Sequence, residues 1–210
     1  MRSKRMLLND ARLYLILDRQ VNSYEQLFEI AQKALPAGVD IIQLRDKSGS
    51  AKEILTFSKH ILKLTKSRVP YVINDRVDLA LAGSASGVHL GQEDIPIGEA
   101  RKILGTKALI GISCQTFMQA KSAQRDGADY IGFGSVYKTL TKPDRCPMDF
   151  KRLKRVVSNI KIPVFAIGGI RSENVMELKT VGVNRIAVCR AVCQSKNVEK
   201  AVKQFLKAIE

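Results

Sequence analysis

The sequence predicts an α/β fold, a single (β/α)8 (TIM) barrel with eight parallel strands. Eight short apolar or β-branched runs alternate with longer amphipathic segments. Several of these runs are apolar throughout, which is typical of parallel strands that are buried on both faces. The chain has 210 residues, and barrels of this kind begin at roughly 200 residues. A doubly wound open sheet is the structural alternative.

The eight predicted strands are defined by their apolar runs. In chain order they are Leu13–Leu17, Ile41–Leu44, Tyr71–Ile73, Gly87–Leu90, Leu109–Ile112, Tyr130–Phe133, Val164–Ile167 and Arg185–Val188. Apolar residues at helical spacing predict helices at Tyr24–Leu35, Ser50–Lys66 and Val198–Ile209. Ser50, Ser172 and Asn197 are the predicted N-caps.

A repeated glycine turn supports the barrel. Gly38, Gly127 and Gly182 each stand one step past a predicted helix end and shortly before a strand, where a left-handed cap is needed. Short connections of this kind imply a parallel sheet, and eight βα units in this length imply closure. We therefore expect one barrel domain over residues 1–210, with residues 1–11 as an N-terminal extension.

The net charge of +15, from 35 Lys and Arg against 20 Asp and Glu, favours anionic partners. The basic residues are spread over helix surfaces, with no dense Arg tract and no interleaved aromatics. We therefore expect small phosphorylated substrates and no nucleic acid, although a nucleic-acid-binding module is the alternative from another class. No apolar run is long enough to span a membrane. A homo-oligomer is compatible with the sequence.

The cysteines predict a reducing compartment. Cys114, Cys146, Cys189 and Cys193 form no C-x-x-C pair, and the chain has only two histidines to complete a zinc site. We read them as reduced thiols in a cytoplasmic protein.

Polar residues directly after the predicted strands are the candidates for function, because barrel active sites lie where strands end. Gln43, Arg45 and Lys47 follow strand two and share one side of an extended segment. An amide and two cations that point together would clamp an anion and a heterocycle. A surface charge cluster is the alternative interpretation.

Two carboxylates follow neighbouring strands. Asp75 comes after strand three and Asp94 after strand four, so both loops reach the same part of the barrel mouth. Such a pair suits Mg²⁺ when substrate phosphates complete its octahedron. Taken singly, Asp75 could be a helix N-cap and Asp94 a turn residue before Pro96.

The later strand ends have the composition of phosphate sites. Gly132 and Gly134 precede a long loop with two Thr hydroxyls and Lys142, and Gly168 and Gly169 end strand seven. Cys189 and Arg190 end strand eight and could complete this cradle through backbone N–H groups. The Ser113 hydroxyl after strand five could donate to a phosphate oxygen, or be an ordinary loop hydroxyl.

The chain offers no convincing nucleophile. Cys114 has no His nearby in sequence, and His89 lies within strand four, where a core histidine is the commoner interpretation. The chemistry is therefore expected to depend on electrostatics, as in a substitution whose leaving group is neutralised by magnesium, Arg and Lys.

Five ordered motifs, spread from about Leu13 to the C-terminus, resemble those of thiamine-phosphate synthases (thiamine-phosphate pyrophosphorylases). They are Gln43–Lys47, Ile73–Arg76, Gly87–Asp94, Gly127–Gly132 and Ala166–Ile170. The resemblance implies a transferase that couples an aminopyrimidine diphosphate to a thiazole phosphate and releases pyrophosphate.

The resemblance also implies roles for individual residues. The pyrimidine diphosphate would be held by Gln43, Leu44, Arg45, Asp46, Lys47, Asn74, Ser113 and Lys142. The thiazole phosphate would be held by Thr139, Leu140, Thr141, Gly169, Cys189 and Arg190. Asp75 and Asp94 would bind the Mg²⁺ cofactor, and the catalytic candidates are Arg45, Lys47, Ser113 and Lys142.

Three positions depart from the family pattern. Gln115 stands where many members have His, Arg190 stands where many have Ser, and the segment 143–148 is atypical. The related thiazole tautomerase shares the barrel, but its acid–base work is associated with a His near position 115. The carboxylate pair and Gln115 together favour the synthase.

We predict that Lys142→Ala lowers the chemical rate about a hundredfold, equivalent to about 3 kcal/mol, because its charge–charge contact strengthens as the C–O bond breaks. Single-turnover kinetics with both substrates saturating is the measurement. An unchanged chemical rate with weakened thiazole phosphate binding would place Lys142 in the other phosphate site.

Overall fold

The structure is a computed structural model that describes residues 3–66, 68–140 and 146–210. Its eight parallel strands form one closed barrel in which each strand pairs with its neighbour in the chain and β1 pairs with β8. The predicted (β/α)8 barrel is confirmed, and the open sheet is excluded. The strands are β1 (Leu13–Asp18), β2 (Ile41–Arg45), β3 (Tyr71–Asn74), β4 (Gly87–Leu90), β5 (Leu109–Cys114), β6 (Tyr130–Phe133), β7 (Val164–Ile167) and β8 (Ile186–Val188).

Helices alternate with the strands along the described chain. They are α1 (Lys4–Asp10), α2 (Tyr24–Ala37), α3 (Ala51–Thr65), α4 (Val77–Ala82), α5 (Ile97–Leu104), α6 (Phe117–Arg125), α7 (Phe150–Asn159), α8 (Val175–Lys179), α9 (Arg190–Cys193) and α10 (Val198–Ile209), with a 3-10 turn at Ser172–Asn174. Among the described residues, no helix combines the length and the apolar character that a membrane crossing requires.

Side-chain alternation divides the apolar residues into two cores. In β1, Leu13, Leu15 and Leu17 belong to the large core between strands and helices, whereas Tyr14 and Ile16 belong to the barrel interior. The interior is filled by side chains from seven of the strands, and it is therefore a packed core and not a pore. The side chains that fill the interior are Tyr14, Ile16, Ile41, Val72, Leu109, Tyr130, Phe165 and Ala187.

Helix α1 closes one end of the barrel. Ser3 caps α1 by accepting the Met6 N–H at 3.2 Å, and Leu8 is only 1% exposed within the interior cluster. The Arg5 guanidinium ties this helix to Asp129, with Nε 3.0 Å from Oδ1. The segment expected as an extension thus contains a helix that covers the amino ends of the strands.

The local signals account for most turns. Gly38, Gly127 and Gly182 have φ values of 111°, 90° and 86°, as the glycine turns predicted. Ser50 and Asn197 cap α3 and α10, as predicted, by accepting the N–H groups of the third residue of each helix.

The predicted cap at Ser172 is wrong. Asn174 Oδ1 accepts the Arg171 N–H at 2.9 Å, so Arg171 precedes the turn and Ser172 is its first residue. The Ser172 hydroxyl bonds instead to Glu173, 2.9 Å away.

Candidate active site

A cavity of about 510 Å³ opens at the carboxyl ends of the strands. Residues from six of the seven strand ends that the sequence singled out line the same space, which is the position expected of a barrel active site. The predicted site residues among them are Gln43, Arg45, Asn74, Ser113, Thr139, Leu140, Gly169, Cys189 and Arg190. The structure therefore brings the two predicted groups of anion-binding residues into one cavity.

Other predicted residues lie elsewhere. Leu44 faces outward and packs in the core between strands and helices, because it alternates with the inward-facing Gln43 and Arg45. Asp46 and Lys47 lie in the loop after β2 and are not among the cavity-lining residues. Thr141 and Lys142 lie outside the described residues.

Arg45 is held by a carboxylate that is completely buried. Arg45 NH1 lies 2.8 Å from Oδ2 of Asp18 and 3.0 Å from Oε1 of Gln20. Asp18, at the end of β1, has no exposed surface, and its Oδ1 accepts the Gln20 N–H at 2.9 Å. A buried ion pair with further hydrogen bonds fixes the guanidinium at the cavity wall.

Asp46 anchors the β2–α3 loop. It accepts hydrogen bonds from the Tyr24 hydroxyl at 2.5 Å and from the N–H groups of Ser48 and Gly49 at 2.9 and 2.7 Å. Burial opposes ionisation of Asp46, but these three bonds outweigh it and lower its pKa. Its side chain thus shapes the loop that carries Lys47.

Asp75 and Asp94 meet at the ends of β3 and β4, as predicted. Burial raises the pKa of Asp94, and a hydrogen bond and charge repulsion from Asp75 raise it further, whereas the Gly91 N–H and the Lys47 charge lower it. Lys47 forms an ion pair with Asp75 through its ammonium group. Among the described residues no group of three or more His, Cys, Asp or Glu side chains is placed to hold a metal.

Of the two alternative interpretations, the helix cap at Asp75 is wrong and the turn residue at Asp94 is confirmed. Asp75 is not a helix cap, since α4 has Arg76 at its N-cap without a side-chain bond. Asp75 instead has a left-handed backbone, with φ of 61°. Asp94 does order its turn, because its Oδ2 accepts the Gly91 N–H at 2.6 Å.

His89 lies in the barrel interior, as expected for a core histidine, but it also lines the cavity. Its Nε2 is 3.0 Å from Oγ of Ser113. Gln92 Nε2 donates to the Ser113 carbonyl at 2.7 Å and so ties the loop after β4 to β5.

The opposite wall has the features of a phosphate site. A Cβ atom at Gly169 would lie 2.4 Å from the Lys138 carbonyl oxygen, so glycine is needed for the close packing of this turn on the loop after β6. Lys138, Arg171 and Arg190 bring cations to this wall. The Arg190 Nε is buried and has no hydrogen-bond partner among the described residues.

Sequence reasoning missed several residues that line the cavity or support it. Asp18 could have been found by the same rule of strand ends, since it directly follows the apolar run Leu13–Leu17. Gln194, Gln204 and Phe205 also line the cavity, but they come from the last helices and their connection. Nothing in their local sequence distinguishes them from ordinary helix residues.

Comparison with known proteins gives a consistent result. The thiamine monophosphate synthase family model matches residues 13–192. Thiamine-phosphate synthase of Clostridium tetani is 39% identical over 93% of this chain and 94% of its own length. That of Methanobrevibacter smithii is 40% identical over 94% and 95%, respectively. The solved thiamine phosphate pyrophosphorylase of Pyrococcus furiosus superimposes with a TM-score of 0.85 at 37% identity, over 98% of this chain and 96% of that one.

We predict that Asp18→Asn lowers the free energy of unfolding by about 3 kcal/mol, because it leaves the Arg45 guanidinium partly buried without its counter-charge. Urea denaturation is the measurement. The control is Asp78→Asn, which removes an ion pair exposed by 45% and 62% and is expected to change stability by no more than about 0.5 kcal/mol. Equal effects of the two substitutions would contradict the assigned role of Asp18.

Proposed function

This chain belongs to the thiamine monophosphate synthase family, and we propose how it performs the reaction. In its cavity, an aminopyrimidine diphosphate is joined to a thiazole phosphate by a dissociative, Mg²⁺-assisted substitution. The enzyme is a transferase, a thiamine-phosphate synthase. The observation that supports the proposed mechanism is the convergence of the two predicted groups of anion-binding residues on one cavity, with a pair of carboxylates just after β3 and β4.

The first step breaks the C–O bond of the pyrimidine diphosphate. The electron pair leaves with the diphosphate, and a pyrimidinylmethyl cation remains. Arg45, oriented by Asp18, together with Lys47 and Lys142, would stabilise the charge that develops on the leaving group. A covalent enzyme intermediate has no support from Cys114, since burial raises the pKa of its thiol to about 12.

The second step forms the C–N bond. The thiazole nitrogen donates its lone pair to the pyrimidinylmethyl carbon, and the product is thiamine phosphate with a positively charged thiazolium ring. Thr139, Leu140, Thr141, Gly169, Cys189 and Arg190 would hold the thiazole phosphate so that its nitrogen faces this carbon. Holding both partners in one cavity makes the capture effectively unimolecular.

Asp75 and Asp94 would hold the Mg²⁺. Burial raises the pKa of Asp94, and a hydrogen bond and charge repulsion from Asp75 raise it further, which is an arrangement that a divalent cation relieves. Two protein carboxylates leave room for water and diphosphate oxygens, the coordination that Mg²⁺ prefers. Bound there, the metal would neutralise negative charge on the diphosphate.

The same proposal covers partners and location. We infer that the partners are the small phosphorylated substrates and not nucleic acid, and that the net charge of +15 serves anion attraction. The cytoplasm is the proposed location, because all four cysteines are free thiols. Gel filtration would decide whether the chain forms a homo-oligomer, and a DNA pull-down at graded salt would test the nucleic-acid alternative.

The direct test is formation of thiamine phosphate from both substrates, with and without Mg²⁺. Product should form only with the metal, and pyrophosphate should appear in equal amount. Rearrangement of the thiazole alone, without pyrophosphate release, would favour the tautomerase instead.

We predict that Asp94→Asn abolishes Mg²⁺ binding and lowers the rate at least a hundredfold, because one of two protein carboxylates is lost. Without metal, the variant should be no less thermally stable than the wild type at neutral pH, since the substitution removes a repulsion with Asp75. Calorimetric titration with Mg²⁺ and a melting curve without it are the measurements. Wild-type affinity for Mg²⁺ in the variant would contradict the assignment.

We predict that Arg190→Ala raises KM for the thiazole phosphate by at least about tenfold and changes kcat little. A charged hydrogen bond to the phosphate would be lost equally from the ground state and the transition state. Arg152→Ala, on the exposed face of α7, is the control. If the two variants have the same KM, Arg190 does not contact the phosphate.

A further inference from the structure

The floor of the cavity contains a continuous chain of hydrogen bonds, the floor relay, made of Gln43, Tyr14, Tyr130, His89 and Ser113. Gln43, His89 and Ser113 line the cavity, whereas the two tyrosines lie beneath them in the barrel interior. What the relay does for the substrate rests on the proposed aminopyrimidine site, to which Gln43 and Ser113 belong. The direction of its hydrogen bonds, however, follows from the protein alone.

The relay crosses the barrel through five strands. Gln43 Nε2 donates to the Tyr14 hydroxyl at 2.7 Å, and the Tyr14 and Tyr130 hydroxyl oxygens are 2.9 Å apart. The Tyr130 hydroxyl lies 3.2 Å from Nδ1 of His89, and Nε2 of His89 lies 3.0 Å from Oγ of Ser113. It therefore links β2, β1, β6, β4 and β5.

The tyrosines are packed so that water does not reach their hydroxyl groups. Tyr14 and Tyr130 are 2% and 0% exposed, and Phe165 packs edge-on against both rings. Gly111 on β5 makes room for Tyr130, because a Cβ atom there would lie 2.1 Å from the ring. Burial raises the pKa of both phenols, so each keeps its single proton at neutral pH.

Proton counting gives the relay a direction. Three hydrogen bonds connect Gln43 to His89, and each needs one hydrogen atom. The Gln43 amide supplies the first. The Tyr14 hydroxyl contacts Gln43 and Tyr130, so the acceptor left for its own proton is the Tyr130 oxygen, and Tyr130 in turn donates to Nδ1 of His89. A neutral imidazole that accepts at Nδ1 carries its proton on Nε2 and donates it to Ser113 Oγ.

We propose that Tyr14 and Tyr130 are positioning residues that fix the Nε2–H tautomer of His89 and thereby turn Ser113 into a hydrogen-bond donor toward the substrate. Because Ser113 Oγ accepts from His89, its own hydrogen does not point at the imidazole. Because Gln43 uses an N–H on Tyr14, its Oε1 is the group left to accept.

The cavity floor then presents an acceptor on the β2 side and a donor on the β5 side. An aminopyrimidine has the complementary groups, an exocyclic amine that donates and ring nitrogens that accept. If the Gln43 amide turned over, every hydrogen bond of the relay would reverse, and both cavity groups would have the wrong polarity. The two buried tyrosines therefore select one polarity of the heterocycle without touching it.

The first experiment determines the tautomer of His89 in the protein without substrate. The chain has two histidines, so ¹⁵N-histidine labelling gives two imidazole spectra, and His60→Gln identifies that of His89. At a pH where the ring is neutral, we expect His89 to carry its proton on Nε2. In Tyr130→Phe, which removes the donor to Nδ1, we expect the Nδ1–H tautomer to become populated.

The second experiment reads the effect on the substrate. Tyr14→Phe and Tyr130→Phe should each raise KM for the pyrimidine diphosphate about tenfold, the effect of weakening one hydrogen bond, and leave KM for the thiazole phosphate unchanged. Tyr71→Phe is the matched control, because this fully buried tyrosine also makes one hydroxyl–hydroxyl bond, to Ser58 at 2.9 Å, but in the outer core. It should leave both KM values unchanged.

The outcomes separate this inference from the proposed function. A wild-type His89 with its proton on Nδ1 would overturn the relay even in a fully active enzyme. Relay variants whose kinetics match Tyr71→Phe would overturn the positioning role. If the wild type makes no thiamine phosphate, the proposed function fails, while the tautomer measurement still decides the direction of the relay.

Discussion

Closure of the eight-stranded ladder is the constraint on which the rest of the structure depends. Once β8 pairs with β1, every second residue of each strand faces a narrow interior that must be filled and whose polar groups must find partners there. Apolar and aromatic side chains fill the layers near the amino ends, with Leu8 of α1 beneath them. Gln43, His89 and Ser113 lie farther along their strands, where a cavity replaces side chains. The same alternation that builds the core therefore places the functional groups.

Two cations at the end of β2 are each paired with a carboxylate that the fold itself supplies. Arg45 is paired with Asp18, and Lys47 is paired with Asp75. A cation held by a carboxylate of its own chain has a fixed position before substrate arrives, so less reorganisation is needed as charge develops on a leaving group. Asp46, whose side chain is not among those that line the cavity, acts on the same loop. Its three hydrogen bonds fix the loop on which Lys47 reaches Asp75.

The sequence was sufficient to predict the features that depend on the spacing of apolar residues or on local turns. All eight strands were found within two residues of their observed ends, because buried parallel strands are apolar throughout and glycine turns mark their starts. The strand-end rule predicted Gln43, Arg45 and Ser113 for the same reason, and all three line the cavity. What it could not find depends on three-dimensional packing. Tyr14 and Tyr130 look like ordinary core residues, and only the closed barrel shows that their hydroxyl groups meet. Gln204 and Phe205 lie on one turn of α10 that the barrel brings to the cavity.

Neutral hydrogen-bonding groups lie deep in the barrel, whereas cations lie nearer to its mouth. Deep in the interior an isolated charge would be strongly disfavoured, and the floor relay is accordingly built of neutral groups that satisfy one another. The described cations lie at the walls and mouth, where Arg45, Lys47, Lys138 and Arg190 have carboxylates or solvent nearby. A substrate with a neutral heterocycle at one end and phosphate groups at the other fits this gradient in only one orientation, with its ring on the floor and its phosphates at the mouth. The desolvation cost that excludes charge from the barrel interior would therefore also orient the proposed substrate, before any specific contact is considered.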